Sequence, residues 1–128
     1  MVKAAAEKPV EEKPAERDPF APIATGVRED GLRWHEHRVF GEVHRIREYT
    51  TGEDDDAWDL SENAPETPGG ETTWNDRLRK RHLLALSHES PKVTVDDIAA
   101  WPSLKTRMLM LAMDRLNSLP PADDEGNG

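Results

Sequence analysis

Hydrophobic residues recur most regularly near the carboxyl end of the chain. Over residues 103–118 they lie three or four positions apart, which is the spacing of one face of an α-helix and predicts an amphipathic helix. Pro102 suits the first turn of this helix, and Pro120 ends it. The predicted hydrophobic stripe consists of Leu104, Met108, Leu111, Ala112, Leu116 and Leu119.

This helix carries more hydrophobic surface than one stripe. Leu109, Met110 and Met113 lie beside the stripe, and a chain of 128 residues has only a small core in which to bury them. We expect Met110 and Met113 at the surface. Because tryptophan anchors interfaces and methionine adapts to varied partners, the segment predicts a surface for a client protein or for self-association, with core packing as the alternative. The candidate partner-binding residues are Trp101, Leu104, Met108, Leu109, Met113 and Leu116.

Two upstream segments carry signals for the start of a helix. Thr73 with Asp76 forms a capping pattern, which predicts a helix over about 74–87. Thr94 with Asp97 repeats the pattern and predicts a short helix, which stops before the next proline because the residue before a proline disfavours helical geometry. The expected buried side of the first helix consists of Trp74, Leu78, Ala85 and Leu86.

The pattern over residues 32–51 fits two structures. Valine and isoleucine recur there at helical spacing, but Gly41 interrupts the run, and the β-branched and aromatic residues favour strands. We favour a β-hairpin whose turn is Gly41-Glu42 and keep the helix as the alternative. In this register Arg38 faces Arg45, so like charges repel, and a longer loop with shifted pairing would relieve them. The expected hydrophobic face of the hairpin consists of Trp34, Phe40, Val43 and Tyr49.

Three histidines raise the question of a metal site. His35, His37 and His44 share a face of this hairpin, and two strand histidines with a third on the neighbouring strand suit zinc. Arg33 and Arg38 crowd the site, however, and no pattern of supporting residues is recognisable. Polar residues on an exposed sheet face explain the same pattern, so we predict no metal.

Residues 52–72 contain eight acidic side chains and no basic ones. A short helix over about 54–62 is expected, because acids in its first turn interact favourably with the positive helix end, and an acidic loop follows. The run Asp54-Asp55-Asp56 lacks the alternation of a calcium loop, and in solvent its carboxylates would have no split pKa values for acid–base catalysis. The chain also lacks a glycine-rich phosphate loop and a nucleophile elbow. We therefore predict a non-enzyme without catalytic residues or cofactors.

Charge is distributed unevenly along the chain. The net charge of −9 opposes general binding to nucleic acid, yet basic residues cluster on the helix predicted over 74–87. A positive helix face suits phosphate contacts, but pairing with the acidic segment upstream, or with a partner, is the interpretation we favour. No run approaches the roughly 20 apolar residues that a membrane span needs. The basic cluster consists of Arg77, Arg79, Lys80, Arg81 and His82.

These patterns together predict a mainly α fold with a small N-terminal β-hairpin, that is, an α+β chain of three to four helices. We expect one small domain over residues 19–119, with a disordered arm at 1–18 and a disordered acidic tail at 120–128. Because 35% of the residues are hydrophobic and 34% are charged, the core is expected to be small.

Two passages resemble the phage tail assembly chaperone family. The passage Val43–Asp55 (VHRIREYTTGEDD) is similar to a strand, an Arg-Glu-x-Thr motif and an acidic helix start in that family. The passage Val93–Pro102 (VTVDDIAAWP), followed by the amphipathic helix, is similar to the family's closing elements. The resemblance covers roughly residues 40–119. The acidic loop at 62–72 and the histidine-rich hairpin depart from it.

The resemblance implies a non-enzymatic chaperone in the cytoplasm of an infected bacterium. Such proteins bind the tape measure protein, help to recruit tail tube subunits and are generally absent from the finished virion. Self-association as a homo-oligomer is also open. Two alternatives are a structural virion protein, such as a head–tail connector or capsid accessory protein, and a small DNA-binding regulator that uses the basic helix at 77–82.

Overall fold

The computed structural model describes residues 21–121. The arm predicted at 1–18 and residues 122–128 of the predicted tail lie outside this range. Of the described residues, 42% are helical and 24% are in strands. The fold is therefore α+β with a four-stranded antiparallel sheet, and the predicted mainly α fold is wrong. The difference arises because short strands add to both edges of the predicted hairpin.

Six strands and four helices follow one another along the described chain. The elements are β1 (Ala24–Val27), β2 (Arg33–Val39), β3 (Glu42–Arg47), α1 (Thr51–Leu60), β4 (Glu62–Asn63), β5 (Thr73–Trp74), α2 (Asp76–Ser87), β6 (His88–Ser90), α3 (Val95–Ala99) and α4 (Ser103–Asn117). The main sheet has the order β1-β2-β3-β6, and β4 pairs only with β5. Helix α4 packs across β2 and β3, α2 packs against β3 and β6, and both α1 and α3 pack on α2.

The predicted hairpin is present, but its turn lies one residue earlier. Phe40 and Gly41 have φ angles of 53° and 79°, as the tightest two-residue hairpin turns require. This turn pairs Arg45 with Glu36 instead of Arg38, and Arg45 Nε donates a hydrogen bond to Glu36 Oε2 over 2.9 Å. The repulsion expected between Arg38 and Arg45 is therefore avoided, and the predicted register is wrong.

The hairpin buries the face opposite to the one that hydrophobicity predicts. Its buried side chains are His37, Val39, His44 and Ile46. Trp34 and Val43 of the predicted face point away from the helices, whereas Tyr49 of that face packs against the core. Hydrophobicity misleads because two of the four buried side chains are histidines, which count as polar in the sequence.

The two edge strands had no usable signal in the sequence. Strand β1 follows a proline, has only four residues and alternates between half-buried and exposed positions. It pairs with β2 so that Gly26 lies opposite Trp34, and a Cβ atom at Gly26 would be 2.3 Å from the Trp34 ring. The indole therefore covers the glycine backbone. Strand β6 follows α2 without a connecting loop, so its three residues look like a continuation of that helix.

The helix starts follow capping chemistry, with two corrections. Thr94 caps α3 as predicted, and its hydroxyl accepts a hydrogen bond from the Asp97 backbone over 3.1 Å. Helix α1 begins at Thr51, earlier than expected, because Thr50 forms a capping box with Glu53. Helix α2 is capped by Asn75 instead of Thr73, since Thr73 lies in the small β4–β5 ladder.

Helix α4 confirms the predicted helix but turns a different face to the core. Leu104 and Leu111 of the predicted stripe are 51% and 37% exposed, whereas Met113, expected at the surface, is 1% exposed. Apolar residues cover so much of this helix that periodicity alone does not select one face. The buried side of α4 consists of Leu109, Ala112, Met113 and Leu116.

Helix α2 likewise buries a side that differs from the expected one. Trp74 precedes the helix and is exposed, as is Leu86. The core side chains of α2 are Leu83 and Leu84, with Ser87 beside them. Both leucines pack with Ile46 of β3 and with the buried side of α4 in one continuous core.

Candidate partner-binding groove

A groove of about 490 Å³ lies between α2, α3 and α4. Helix spacing explains which side chains line it. From α2 come residues at positions i, i+3 and i+4, and from α4 come residues at i, i+3, i+4 and i+7, so each set lies on one side of its helix. These two sets are Arg77, Lys80 and Arg81 of α2, and Ser103, Thr106, Arg107 and Met110 of α4.

The walls of the groove carry positive charge that the described chain does not neutralise. Within residues 21–121, Arg77, Arg81 and Arg107 have no carboxylate within ion-pair distance, and Lys80 Nζ lies 3.7 Å from an Asp114 oxygen. The first turn of α4 also borders the groove at Ser103 and has neither a side-chain cap nor an acidic residue. The positive end of that helix therefore adds to the field of the cations.

The apolar part of the groove is formed by Ile98, Ala99, Trp101 and Met110. Ile98 is buried, whereas Trp101 and Met110 are half-buried and pack against the core from the groove side. Lys105 Nζ lies 4.5 Å from the centroid of the Trp101 ring, so a cation covers one part of the indole. The groove thus combines an apolar floor with cationic walls.

The structure does not bring the six predicted partner-binding residues to one surface. Leu109, Met113 and Leu116 lie in the core, where they are unavailable to a partner in this conformation. Leu104 is exposed, and Met108 is half-buried against the core. Of the six, only Trp101 lines the groove. Met110, which the sequence placed at the surface but not among the six, lines it as well.

The predicted basic cluster is divided between the two sides of α2. Arg79 faces α1, where its guanidinium lies 2.7 Å from Asp54 Oδ1 and 4.3 Å from the centroid of the Trp58 ring. It also pairs with Asp76 of its own helix. For Arg79, the favoured interpretation of pairing with the upstream acidic segment is therefore confirmed. The cations at 77, 80 and 81 line the groove instead.

A second exposed surface, called here the aromatic patch, lies on the α1 side of α2. Trp58 and Trp74 are 37% and 47% exposed, and their rings meet edge to face with centroids 6.1 Å apart. Asp55 precedes Trp58 by one helical turn, and Glu62 lies directly opposite Trp74 in the β4–β5 ladder. Sequence reasoning missed this patch, because it placed Trp74 on the buried side of a helix.

Two buried histidines lie behind Trp101. The His44 and His88 rings have centroids 5.6 Å and 5.8 Å from that of Trp101. His44 Nδ1 is 3.0 Å from His88 Nε2, and His88 Nδ1 is 2.9 Å from the Leu84 carbonyl oxygen. Because a carbonyl only accepts, His88 carries its proton on Nδ1, and His44 then donates from Nδ1 to His88. The other His44 nitrogen is 2.9 Å from Glu42 Oε1 but outside hydrogen-bonding geometry.

Burial keeps these imidazoles neutral. It lowers the pKa of His88 to about 4, although the hydrogen bond to Leu84 acts in the opposite direction. Burial also lowers the pKa of His44, against the attraction of Glu42. On β2, burial lowers the pKa of His37 to about 4, with smaller contributions from His35 and Arg115.

The shared face of three histidines is confirmed, but its environment is not as expected. His37 lies directly opposite His44, and both are buried instead of facing solvent. The His35 and His37 ring centroids are 6.0 Å apart. Across residues 21–121, no three histidine or acidic side chains are placed to hold a metal ion.

Comparisons with protein-family models, with curated proteins and with solved structures found no match. Among the helices of residues 21–121, none is long and apolar enough to cross a membrane.

Proposed function

We propose that this chain is a non-enzymatic protein-interaction module whose groove binds an acidic, partly apolar segment of a partner protein. One observation carries the proposal. Arg77, Arg81 and Arg107, without a carboxylate partner in the described chain, surround a floor that includes Trp101 and Met110. A segment with one hydrophobic anchor and nearby acidic side chains would satisfy both features at once.

Such binding would resemble helix-in-groove recognition, in which an apolar face enters a hydrophobic groove. Removing apolar surface from water contributes about 25 cal/mol for each Å², and the half-buried Trp101 and Met110 offer such surface. Cationic walls raise the rate of encounter with an acidic segment and disfavour basic competitors. The floor would supply affinity, and the walls would supply selectivity.

Within this class, we favour a phage tail assembly chaperone whose client is the tape measure protein and which also contacts tail tube subunits. The support is the resemblance of two passages, both of which contain a capping box, at Thr50 and at Thr94. Leu104 and Leu111 on the exposed side of α4 would extend the contact along a helical client. The site of action would be the cytoplasm of an infected bacterium.

Co-expression with a candidate tape measure protein tests this proposal. The client should be soluble with the wild-type chain and aggregate without it. Arg77→Glu/Arg81→Glu should abolish the effect, because two groove cations are reversed. Arg38→Glu/Lys92→Glu changes the net charge equally at exposed positions outside the groove and should retain it. Equal client solubility with and without the chain would rule out the chaperone.

Nucleic acid is the second candidate ligand, because four cationic side chains line one groove. The DNA-binding alternative requires affinity for duplex that falls steeply with salt and is lost in Arg77→Glu/Arg81→Glu. Arg79 is a poor choice for this test, since it is already paired with Asp54 and Asp76. Fluorescence anisotropy with a labelled duplex at several salt concentrations distinguishes the two ligands. We expect no measurable duplex binding at physiological salt.

A further inference from the structure

We propose that copies of this chain associate head to tail, with the aromatic patch of one copy seated in the groove of the next. The inference rests on the proposed function in one respect, since it takes the same groove to be a protein-binding site. It adds the identity of an occupant, a second copy of this chain, and the surface that this copy uses.

The aromatic patch has the chemistry that the groove requires. Trp74 and the part of Trp58 that Arg79 does not cover present exposed indole surface, and an indole ring fits an apolar floor. Asp55 lies one helical turn before Trp58, Glu62 lies opposite Trp74 in the β4–β5 ladder, and no ion pair involves either carboxylate within residues 21–121. Acidic groups beside an aromatic anchor thus match cations beside an apolar floor, so that charge and hydrophobicity are complementary at the same time.

The two surfaces lie on different sides of α2. Arg79 on one side holds α1 through Asp54 and Trp58, whereas Arg77 and Arg81 line the groove with α3 and α4. A chain therefore cannot place its own patch in its own groove without unpacking α1 from α2. Two different surfaces that join produce a heterologous contact, which leads to rings or open chains instead of a closed two-fold dimer.

Overall electrostatics opposes this association. With a net charge of −9, two copies repel at long range, so any attraction must come from local complementarity. Overall charge and local complementarity therefore predict opposite effects of a charge reversal in the patch. Asp55→Lys/Glu62→Lys makes the chain less negative and reduces the overall repulsion, yet it places positive charge in the patch and should abolish the contact.

The experiment measures the mass of the full-length chain by sedimentation equilibrium over a wide range of concentrations. The wild type should form species larger than a dimer as concentration rises. Asp55→Lys/Glu62→Lys and Arg77→Glu/Arg81→Glu should each remain monomeric, with association weakened about tenfold or more. Circular dichroism on each variant separates loss of contact from loss of fold.

Mixing the two variants gives the decisive result. The first variant keeps an intact groove and the second keeps an intact patch, and the lysines of the mutated patch are opposite in charge to the glutamates of the mutated groove. An equimolar mixture should therefore regain the association that each variant lacks alone. A matched control, Glu29→Lys/Glu66→Lys, changes the charge equally at exposed positions outside both surfaces and should associate like the wild type.

Three outcomes would overturn the proposal. They are a wild type that stays monomeric, a mixture that does not associate, and a control that also loses association. Asp55→Lys/Glu62→Lys should still solubilise a client, because its groove is intact, so failure of the two proposals can be told apart.

Discussion

Trp101 borders two clusters of basic side chains that differ in charge. On the groove side, Arg77, Arg81 and Arg107 remain charged and accessible. Behind the indole, His44 and His88 are buried and neutral. The difference follows from side-chain chemistry, since arginine cannot lose its proton in a protein and stays near water, whereas histidine gives up its proton at moderate cost. Basic residues that count alike in a sequence can therefore have opposite roles.

The largest expected effect comes from acidification of the histidine cluster. In the unfolded chain histidine binds a proton near pH 6.5, whereas burial lowers the pKa of His37 and His88 to about 4. Acid therefore favours the unfolded state. The free energy of unfolding should be highest above pH 6.5 and fall as the pH drops toward 4. By pH 4.5 each of the two histidines should lower it by roughly 2 to 3 kcal/mol.

Urea unfolding at a series of pH values measures this loss. Hydrogen bonds from Arg33 and Arg47 lower the pKa values of Glu48 and Glu53 below their usual 4.5. These two carboxylates therefore stay ionised between pH 6.5 and 4.5. Loss of stability in this window therefore belongs to the histidines. A flat profile there would show that the imidazoles are accessible to solvent, and the comparison with the arginines would fail.

The next largest expected effect is the difference in stability between truncating a core residue and truncating a groove residue of α4. Met113 is buried and Met110 lines the groove, although they are three residues apart on α4. Met113→Ala should lower the free energy of unfolding by about 2 to 5 kcal/mol, because it leaves a cavity. Met110→Ala should cost less than about 1 kcal/mol. Chemical denaturation of both variants measures the difference, and equal losses would contradict the assigned face of α4.

The smallest expected effect is the difference in stability between removing Arg79 and removing Arg77 of α2. Arg79→Ala removes the partner of Asp54 and the cation over Trp58, and it should cost about 1 to 2 kcal/mol. Arg77→Ala removes no ion pair within the described chain and should change stability by less than about 0.5 kcal/mol. The two thermal melts should separate by a few degrees. A reversed order would mean that Arg77 is not a free groove cation.

Part of the fold could be predicted from local sequence. The hairpin and the helices α3 and α4 were predicted at nearly the observed positions, because capping residues and prolines act within a few positions along the chain. The turn at Phe40-Gly41 was missed by one residue, since a non-glycine residue with positive φ is rarely expected. The edge strands were missed because their pairing partners lie elsewhere in the sequence.

Less of the candidate site could be predicted. Trp101, one of the six predicted partner-binding residues, lines the groove, and the basic cluster was recognised as a group. The division of that cluster between Arg79 on the α1 side and the groove cations depends on where α1 and α4 pack around α2. Three of the six proposed partner-binding residues are in the core, since an excess of apolar residues on α4 does not reveal which of them the sheet covers.

The sequence by itself determined where the helices start and stop and which side chains bring charge, because these properties depend on near neighbours in the chain. Only the tertiary structure decided which faces are buried, which histidines are neutral and which arginines are left without a carboxylate. Those properties depend on residues brought together from distant segments, such as His44 with His88 and Arg79 with Asp54. Burial and pairing are set by that packing, and with them the surfaces available to a partner.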